Sequence, residues 1–322
     1  MTRRAHDILG LGSVAVDDFL YVPAFPQQEI KMQVQERARQ CGGLTATALV
    51  AAARLGARCA YAGVLGRDAD SQFVFDTFAR EGIDTQHIIR NDKARPIHST
   101  IIVEAERQTR TILYDLKGSV GARPDAPAEE VIRAAGVLFV DHYGIEGMIR
   151  AAKIARAAGV PVVADLERND WPGFSDLLAL VDHLIVSRAF AKRVTGQDQP
   201  AAGCAALWTE ARQVVIVTDG EHGCWYQYGQ ERPRHWPAFA VQAADTTGCG
   251  DVFHGAYAAK LASGAGLEDR LRFASAAAAL KATRTGGQVG IPTRSEVEEF
   301  LQARAGNQAR GGRQPPGPGS LQ

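Results

Sequence analysis

From residue 137 to residue 218 the chain alternates short, nearly continuous apolar runs with longer amphipathic segments. The apolar runs predict buried strands, and the amphipathic segments predict helices. The strands are predicted at 137–140, 160–164, 183–186 and 214–218, and the helices between and beside them at 145–158, 174–180, 188–195 and 201–210. Strands that are apolar on both faces and alternate with helices are typical of a parallel sheet covered on both sides.

The parts of the chain on either side of this region have a less regular pattern. Residues 19–40 and 97–114 alternate apolar and polar positions, which predicts exposed strands. Elsewhere strands are predicted at 7–13, 59–65, 225–228 and 235–241, and helices at 44–55, 70–81, 250–262, 268–283 and 294–304. Residues 306–322 are rich in Gly and Pro, so we predict that they are disordered and that residues 1–305 form one domain.

The composition narrows the range of functions. Of the 322 residues, 36 are Lys or Arg and 36 are Asp or Glu, so the net charge does not indicate nucleic acid or an anionic membrane as a partner. The first residues lack the apolar core of a secretory signal, and no apolar run is long enough to span a membrane. The five cysteines are odd in number and widely spaced, which favours a reducing cytoplasm over a disulfide framework or a zinc site.

One loop combines two glycines with two acidic residues, and it reads Asp245-Thr246-Thr247-Gly248-Cys249-Gly250-Asp251. A helical pattern follows it directly. Glycines let the backbone approach a ligand closely, and a helix N-terminus attracts anions through its unpaired amides and its dipole. A carboxylate beside an anion site suits the removal of a proton from a hydroxyl that attacks phosphorus, so Asp251 is a candidate base. The simpler alternative is a strand-to-helix turn in which Asp251 caps the helix.

Two other predicted strand ends carry candidate ligands. They are Gly12-Ser13 with Asp17, and Thr218-Asp219-Gly220-Glu221-His222-Gly223. Ligands on open parallel sheets bind beyond the carboxyl ends of the strands. With these stretches in this order, the chain resembles the PfkB (ribokinase-like) carbohydrate kinases over residues 7–301. The loop 245–251 is similar to the D-T-x-G-A-G-D motif of that family, with Cys249 in place of the usual Ala.

The resemblance implies a ribokinase-like α/β fold, with a central, mostly parallel sheet sandwiched by helices and a small β-sheet lid from residues 19–40 and 97–114. It also implies ATP-dependent phosphorylation of a sugar hydroxyl with Mg²⁺, and a homodimer formed through the lid. The implied catalytic residues are Asp251 as general base and Gly248, Cys249 and Gly250 as an anion hole. The implied sugar ligands are Asp17, Gly42, Gly43, Thr47 and Arg110, and the implied nucleotide contacts are Thr218, Gly220, Gly223, Ala278 and Gly287.

The chain departs from the family pattern at two motifs. Thr47 stands where the motif G-G-x-x-x-N has Asn, so a hydroxyl replaces an amide in the sugar site. Ser187 and Phe190 stand where the motif N-x-x-E has the residues that organise the Mg²⁺ water shell. The family's loop for a monovalent cation such as K⁺ retains Asp245 and Thr247.

Two local likenesses bear on the substrate. Residues 107–114 resemble a stretch of the ketohexokinases, whereas Thr47-Ala48 and residues 278–292 are more similar to bacterial sulfofructose kinases. Tyr114 and Tyr143 stand where the sulfofructose kinases need Arg and Asn for the sulfonate, so a plain ketose or a related sugar is favoured. Two alternatives stay open, namely a nucleoside kinase of the same fold and a catalytically silent regulator that binds a sugar or a nucleotide.

The position of Cys249 suggests a further expectation. A thiol at a helix N-terminus is expected to have a lowered pKa and a larger thiolate fraction. We therefore expect alkylation of Cys249 to inactivate the protein, and ATP to protect it.

Overall fold

The computed structural model describes residues 4–104, 106 and 109–311. Its strands are β1 His6–Leu11, β2 Ala15–Val22, β3 Glu36–Gly42, β4 Cys59–Tyr61, β5 Val64–Leu65, β6 Ile89–Arg90, β7 Ile97–Glu104, β8 Thr109–Asp115, β9 Ala135–Val140, β10 Val162–Asp165, β11 His183–Ser187, β12 Val214–Thr218, β13 Cys224–Tyr228 and β14 Arg234–Trp236. Its helices are α1 Leu44–Arg54, α2 Ala69–Arg80, α3 Glu129–Arg133, α4 Ile145–Ala157, α5 Phe174–Ala179, α6 Arg188–Thr195, α7 Pro200–Leu207, α8 Cys249–Ala262, α9 Leu267–Ala282 and α10 Arg294–Gly311. Among the described residues, no helix combines the length and the apolar character needed to cross a bilayer.

The main sheet has eight strands in the order β14-β13-β12-β11-β10-β9-β1-β4. From β12 to β4 all neighbours are parallel, and β13 and β14 add an antiparallel edge. Successive side chains of β12 point to opposite faces, so Val214 and Ile216 pack in the core under α8 and α9 while Val215 and Val217 pack in the core under α6 and α7. The predicted mostly parallel sheet between two layers of helices is confirmed.

Three predicted boundaries were wrong, each for a local reason. The strand predicted at 59–65 is divided into β4 and β5, which lie in different sheets. The strand predicted at 235–241 ends at Trp236, because Pro237 has no N–H for the ladder. Helix α10 continues to Gly311, so the first six residues of the tail that was predicted to be disordered are helical, and residues 312–322 lie outside the described part of the chain.

A second, four-stranded sheet forms the predicted lid, in the order β3-β2-β7-β8. Strands β2 and β7 are parallel, and the two outer pairs are antiparallel. The first lid segment differs from the prediction, since β2 begins at Ala15 and β3 begins only at Glu36. Three consecutive large side chains of the edge strand β8 are exposed, and these are Ile112, Leu113 and Tyr114.

The order of the strands along the sheet reverses beside β1, which pairs in parallel with β4 on one side and β9 on the other. A crevice opens at such a point, beyond the carboxyl ends of the two strands. The fully buried carboxylate of Asp141, just after β9, holds this crevice together. Its Oδ2 accepts hydrogen bonds from Ser13 N at 2.6 Å, Ser13 Oγ at 2.9 Å and Thr45 Oγ1 at 2.9 Å, and its Oδ1 accepts one from Tyr143 N at 2.8 Å. One side chain thus joins the end of β1, the start of α1 and the loop after β9.

We predict that Gly12→Ala lowers the free energy of unfolding by about 2 kcal/mol, because an added Cβ would overpack the Asp141 network. That atom would lie 2.0 Å from Thr45 Oγ1 and 2.4 Å from Asp141 Oδ2. Urea unfolding of the two proteins measures the difference. Gly266→Ser is the matched control, since a Cβ there meets no atom within 4 Å and Ser suits the N-cap of α9. Equal stability of the wild type and Gly12→Ala would contradict the prediction.

Candidate active site

A cavity of about 440 Å³ lies between the lid and the carboxyl ends of the main sheet. The lid, the first turns of α1 and α8 and the loops after β9 and β10 form its walls. It brings together sequence-predicted residues that are far apart along the chain. Those that line it are Asp17, Gly43, Thr47, Arg110, Gly248, Gly250, Asp251 and Gly287.

The amino end of α8 forms one wall of the cavity. Gly248 is the N-cap residue, and its φ of 78° is one that favours glycine. The amide of Cys249 already donates to the Thr246 carbonyl at 3.2 Å, whereas no backbone acceptor pairs with the Gly250 amide among the described residues. A Cβ on Gly250 would meet nothing within 4 Å, so a ligand can come close to this backbone. The corner therefore suits an anion, chiefly through Gly250.

Asp251 stands in the first turn of α8 and faces two acids that the sequence analysis missed. Burial, and then the carboxylates of Asp165 and Glu167, raise the pKa of Asp251 well above its usual range. Asp165 ends β10, and Glu167 follows it in the cavity wall. Glu167 is exposed to the cavity yet enclosed by protein on most sides, and this desolvation, together with Asp165, raises its pKa to about 7. An acidic pair at the end of a buried strand was the available sequence signal.

The imidazole of His254 lies beneath these acids and is buried. Its Nδ1 is 2.8 Å from the Gly250 carbonyl oxygen, and its Nε2 is 2.9 Å from the Ile185 carbonyl oxygen. Carbonyl oxygens only accept, so both contacts are hydrogen bonds only if both ring nitrogens carry hydrogen. The same Nδ1 lies 3.4 Å from Asp165 Oδ2. The His254 ring is thus packed against Gly250, Ile185 and Asp165.

The lid places Asp17 opposite this wall. Burial raises the pKa of Asp17 to about 6, an effect that a hydrogen bond with Ser99 partly opposes. Gly42 makes room for this carboxylate, because a Cβ there would lie 1.9 Å from Asp17 Oδ2. The neighbouring Asp18 points elsewhere and pairs with Arg39, with its oxygens 2.7 and 2.8 Å from the guanidinium nitrogens. The two adjacent acids are thus separated in role.

Two hydrogen bonds tie the substrate side of the cavity to the phosphate side. Arg110 of the lid donates from Nη1 to Thr246 Oγ1 at 2.9 Å. Thr47, the residue in place of the family's Asn, accepts from Gln288 Nε2 at 3.2 Å. Both predicted residues therefore lie in the cavity wall, and their polar groups are already engaged with protein partners.

Aromatic and basic side chains line the far wall. Tyr114 and Tyr143, which stand at the positions aligned with the sulfonate ligands of sulfofructose kinases, both lie there. His142 and Arg168 also line this wall, and the sequence analysis missed them. Arg168 donates to the Tyr114 hydroxyl at 3.0 Å. His142 is 1% exposed, and neither of its ring nitrogens has a hydrogen-bond partner among the described residues.

The predicted nucleotide residues lie outside the wall of this cavity, apart from Gly287. Thr218 ends β12, Gly220 begins the turn after it, and Ala278 is half-buried on α9. Gly223 has a packing role of its own, because a Cβ there would lie 2.1 Å from the Trp236 carbonyl oxygen. The structure therefore brings the predicted sugar and catalytic residues together, and it leaves the nucleotide residues as a prediction.

The positions of the family's Mg²⁺ motif offer no free ligand in this chain. Ser187 caps α6 by accepting from Phe190 N at 3.1 Å, and the Phe190 side chain is in the core. Glu167 and Asp251 line the cavity and Asp165 is buried at the end of β10, and carboxylate oxygens are ligands that Mg²⁺ prefers.

At the monovalent-cation site expected at Asp245 and Thr247, protein groups already contact the oxygens of Asp245. The Asp245 carboxylate accepts from Thr247 N at 2.8 Å and from Gly286 N at 2.8 Å. Its main-chain carbonyl accepts from the ammonium of Lys281 at 3.2 Å. The ammonium of Lys281 thus stands beside the residues at which K⁺ was expected.

Comparison with known proteins points to one family. The family model described as pfkB family carbohydrate kinase matches residues 5–294. A ribokinase of Haemophilus influenzae is 29% identical over 304 residues, which is 91% of this chain and 97% of that protein. A probable fructokinase-4 of Arabidopsis thaliana is 30% identical over 81% of this chain and 87% of that protein. A crystal structure from Agrobacterium tumefaciens, provisionally named a ribokinase, superposes with a TM-score of 0.86 at 28% identity, covering 93% of this chain and 97% of that one.

The lowered pKa that we expected for Cys249 was wrong. Burial raises the pKa of this thiol to about 11, and the nearby Lys281 only partly opposes the rise. We predict that iodoacetamide at pH 7 labels Cys249 at least about tenfold more slowly than it does in the denatured chain. The other four cysteines are buried and free, so mass spectrometry of the native protein should show all five thiols slow. Rapid labelling of Cys249 alone would contradict this.

Proposed function

The chain belongs to the pfkB family of carbohydrate kinases, and on that premise we propose that Asp251 removes the proton from a sugar hydroxyl as this hydroxyl attacks the γ-phosphorus of ATP. It is an ATP-dependent carbohydrate kinase. The observation that carries the proposal is the place of Asp251, which stands in the first turn of α8, faces the cavity shared with Asp17 and lies next to the open Gly250 backbone.

The environment of Asp251 suits a general base. Proton transfer is most efficient when the pKa of the base is near the operating pH, and an ordinary carboxyl has too low a pKa. Burial and the two neighbouring acids raise the pKa of Asp251, so its carboxylate gains affinity for a hydroxyl proton. As the proton moves, negative charge develops on the phosphoryl oxygens, which the α8 amino end and the Gly250 amide would stabilise. The buried Thr247 hydroxyl, unpartnered among the described residues, offers a further donor.

Asp165 and Glu167 would hold Mg²⁺ together with water and the phosphates of ATP. When bound, the ion neutralises charge on the phosphate oxygens. This assignment replaces the N-x-x-E motif, whose positions are taken by a helix cap and a core residue. It also gives the two acids beside Asp251 a reason to be there, since a bound cation would offset their mutual repulsion.

We propose a ketose or a related sugar as the substrate. Asp17 would accept hydrogen bonds from the sugar hydroxyls, and the unpartnered ring of His142 would bond another hydroxyl. The similarity of residues 107–114 to ketohexokinases and the relatedness to a fructokinase support a ketose, while the ribokinase relatives make ribose the alternative. ATP would lie beyond the carboxyl end of β12, against Thr218, Gly220 and Ala278.

The oligomeric state and the cellular location of the enzyme are also proposals. The exposed apolar side chains of β8, Ile112, Leu113 and Tyr114, would support a homodimer through the lid. Five free cysteines are in keeping with a reducing cytoplasm.

We predict that Asp251→Asn lowers kcat by about three decades or more, because an amide cannot take the hydroxyl proton. The dissociation constant for ATP should change by less than about twofold, since the α8 amino end keeps its backbone. Coupled detection of ADP release measures the first quantity and calorimetry the second. Asp176→Asn, an exposed acid on α5, is the control for the same chemical change. Turnover of Asp251→Asn near that of the wild type would rule out the assignment.

The function itself is tested by ADP release with fructose, other ketoses, ribose and other aldoses, and nucleosides, with Asp251→Asn as the blank. We expect the largest kcat/KM with a ketose. Preference for a nucleoside would replace the sugar kinase with the nucleoside kinase, and binding of sugar without any turnover would favour the silent regulator.

Two adjacent acids provide a matched pair for the sugar site. We predict that Asp17→Asn raises the sugar KM about tenfold or more, because a charged hydrogen-bond acceptor is lost from a desolvated site. Asp18→Asn, which affects an ion pair at the lid surface, should change this KM less than about twofold. Initial rates at saturating ATP give both values. Equal effects of the two changes would show that Asp17 acts on the lid rather than on the sugar.

A further inference from the structure

Lys281, in the last turn of α9, is a fully buried lysine close to the active-site loop. Its side chain is 0% exposed. The ammonium donates to the Asp245 carbonyl oxygen at 3.2 Å and to the Arg284 carbonyl oxygen at 3.2 Å. Burying an ammonium is unfavourable unless hydrogen-bond acceptors surround it, and here the two carbonyl oxygens are those acceptors.

The ammonium and one carboxylate join the same two loops. Lys281 contacts the carbonyls of Asp245 and Arg284, and the Asp245 carboxylate contacts Thr247 N and Gly286 N. One loop is thus the segment 245–251, which carries Asp251, and the other is the segment 284–287, which borders the cavity at Gly287. The Lys281 ammonium and the Asp245 carboxylate thus connect the two loops, whose backbone faces the proposed phosphate site.

The space around the lysine stem is closed. A Cβ on Gly290 would lie 3.0 Å from Lys281 Cδ and 3.1 Å from Lys281 Cε. Of the charged groups around Cys249, the Lys281 ammonium does most to lower the pKa of the thiol. Lys281 is therefore a packed residue of the structure that supports the 245–251 loop, and not a surface lysine.

We propose that Lys281 is a permanent internal cation that takes the place a K⁺ ion would fill beneath the 245–251 loop, so that the enzyme needs no monovalent cation. The ammonium cannot dissociate, because it is covalently attached to α9. It acts as a positioning residue, since it holds the carbonyls of both loops and thereby the amides that face the phosphate. Only the kinetic part of the proposal depends on the proposed function.

The wild type offers the first test. Turnover is measured at constant ionic strength in KCl, NaCl and tetramethylammonium chloride. We expect the three values of kcat to agree within about twofold, because no dissociable cation is used. Saturable activation by K⁺ over tetramethylammonium would overturn the proposal.

Two variants separate the charge from the space. Lys281→Ala removes the ammonium and opens a cavity between the carbonyls, whereas Lys281→Met removes the charge and fills most of the space. Without K⁺ we expect both to lose about tenfold or more in kcat, with the sugar KM little changed, because the donors near the phosphate are less well placed. KCl should restore much of the loss in Lys281→Ala and little in Lys281→Met. Wild-type turnover of Lys281→Ala without K⁺, or equal rescue of the two variants, would refute the internal cation.

A measurement without substrates keeps the test independent of catalysis. Thermal unfolding is followed for the wild type and Lys281→Ala in KCl and in tetramethylammonium chloride. K⁺ should raise the midpoint of Lys281→Ala selectively, because an ion that binds only the folded state stabilises it. The wild type and Lys153→Ala, which loses an exposed lysine on α4, should show no such difference. If K⁺ stabilises the wild type as much as Lys281→Ala, the site is not filled by the lysine. If Lys281→Ala does not fold, the wild-type comparison and Lys281→Met still decide.

Discussion

Negative charge gathered at the end of one strand and one helix is the constraint on which this active site depends. Asp251, Asp165 and Glu167 face one another there, and burial together with mutual repulsion raises the pKa of Glu167 to about 7 and that of Asp251 well above its usual range. Positive charge is built into the fold around them. The amino end of α8 supplies partial positive charge, and the ammonium of Lys281 contacts the Asp245 carbonyl of the 245–251 loop. The proposed base and the proposed anion site can therefore share one helix end.

Asp141 shows the opposite use of a buried carboxylate. Hydrogen bonds from Ser13, Thr45 and the Tyr143 amide satisfy it fully, so it shapes the crevice instead of reacting. The contrast with Asp251 follows from the partners: backbone and hydroxyl donors surround the first acid, and other acids surround the second. The main sheet provides both environments, because the reversal of strand order beside β1 opens a crevice. Different segments of the chain supply the side chains on its two sides.

Much of the fold and part of the site could be predicted from the chain itself. Strand and helix signals are local, so β9 to β12 and their helices appear within a few residues of their predicted bounds, and a deviation such as the early end of β14 has a local cause in Pro237. The 245–251 loop could also be identified as a candidate site from the sequence, because its glycines, Asp251 and the helix that follows are adjacent along the chain. Glu167 and His142 were missed, since their neighbours in the cavity come from other strands.

The sequence by itself determined the class of fold, the helix end proposed to bind an anion and Asp251 as the candidate base, because each depends on residues that follow one another along the chain. Only the tertiary structure decided the charge state and the partners of those residues. Burial raised the pKa of Cys249 where a helix end alone predicts a lower one. Packing also carried the ammonium of Lys281 to the carbonyl of Asp245, a residue 36 positions away. Desolvation and long-range charge depend on what surrounds a group in space, and sequence neighbours do not report it.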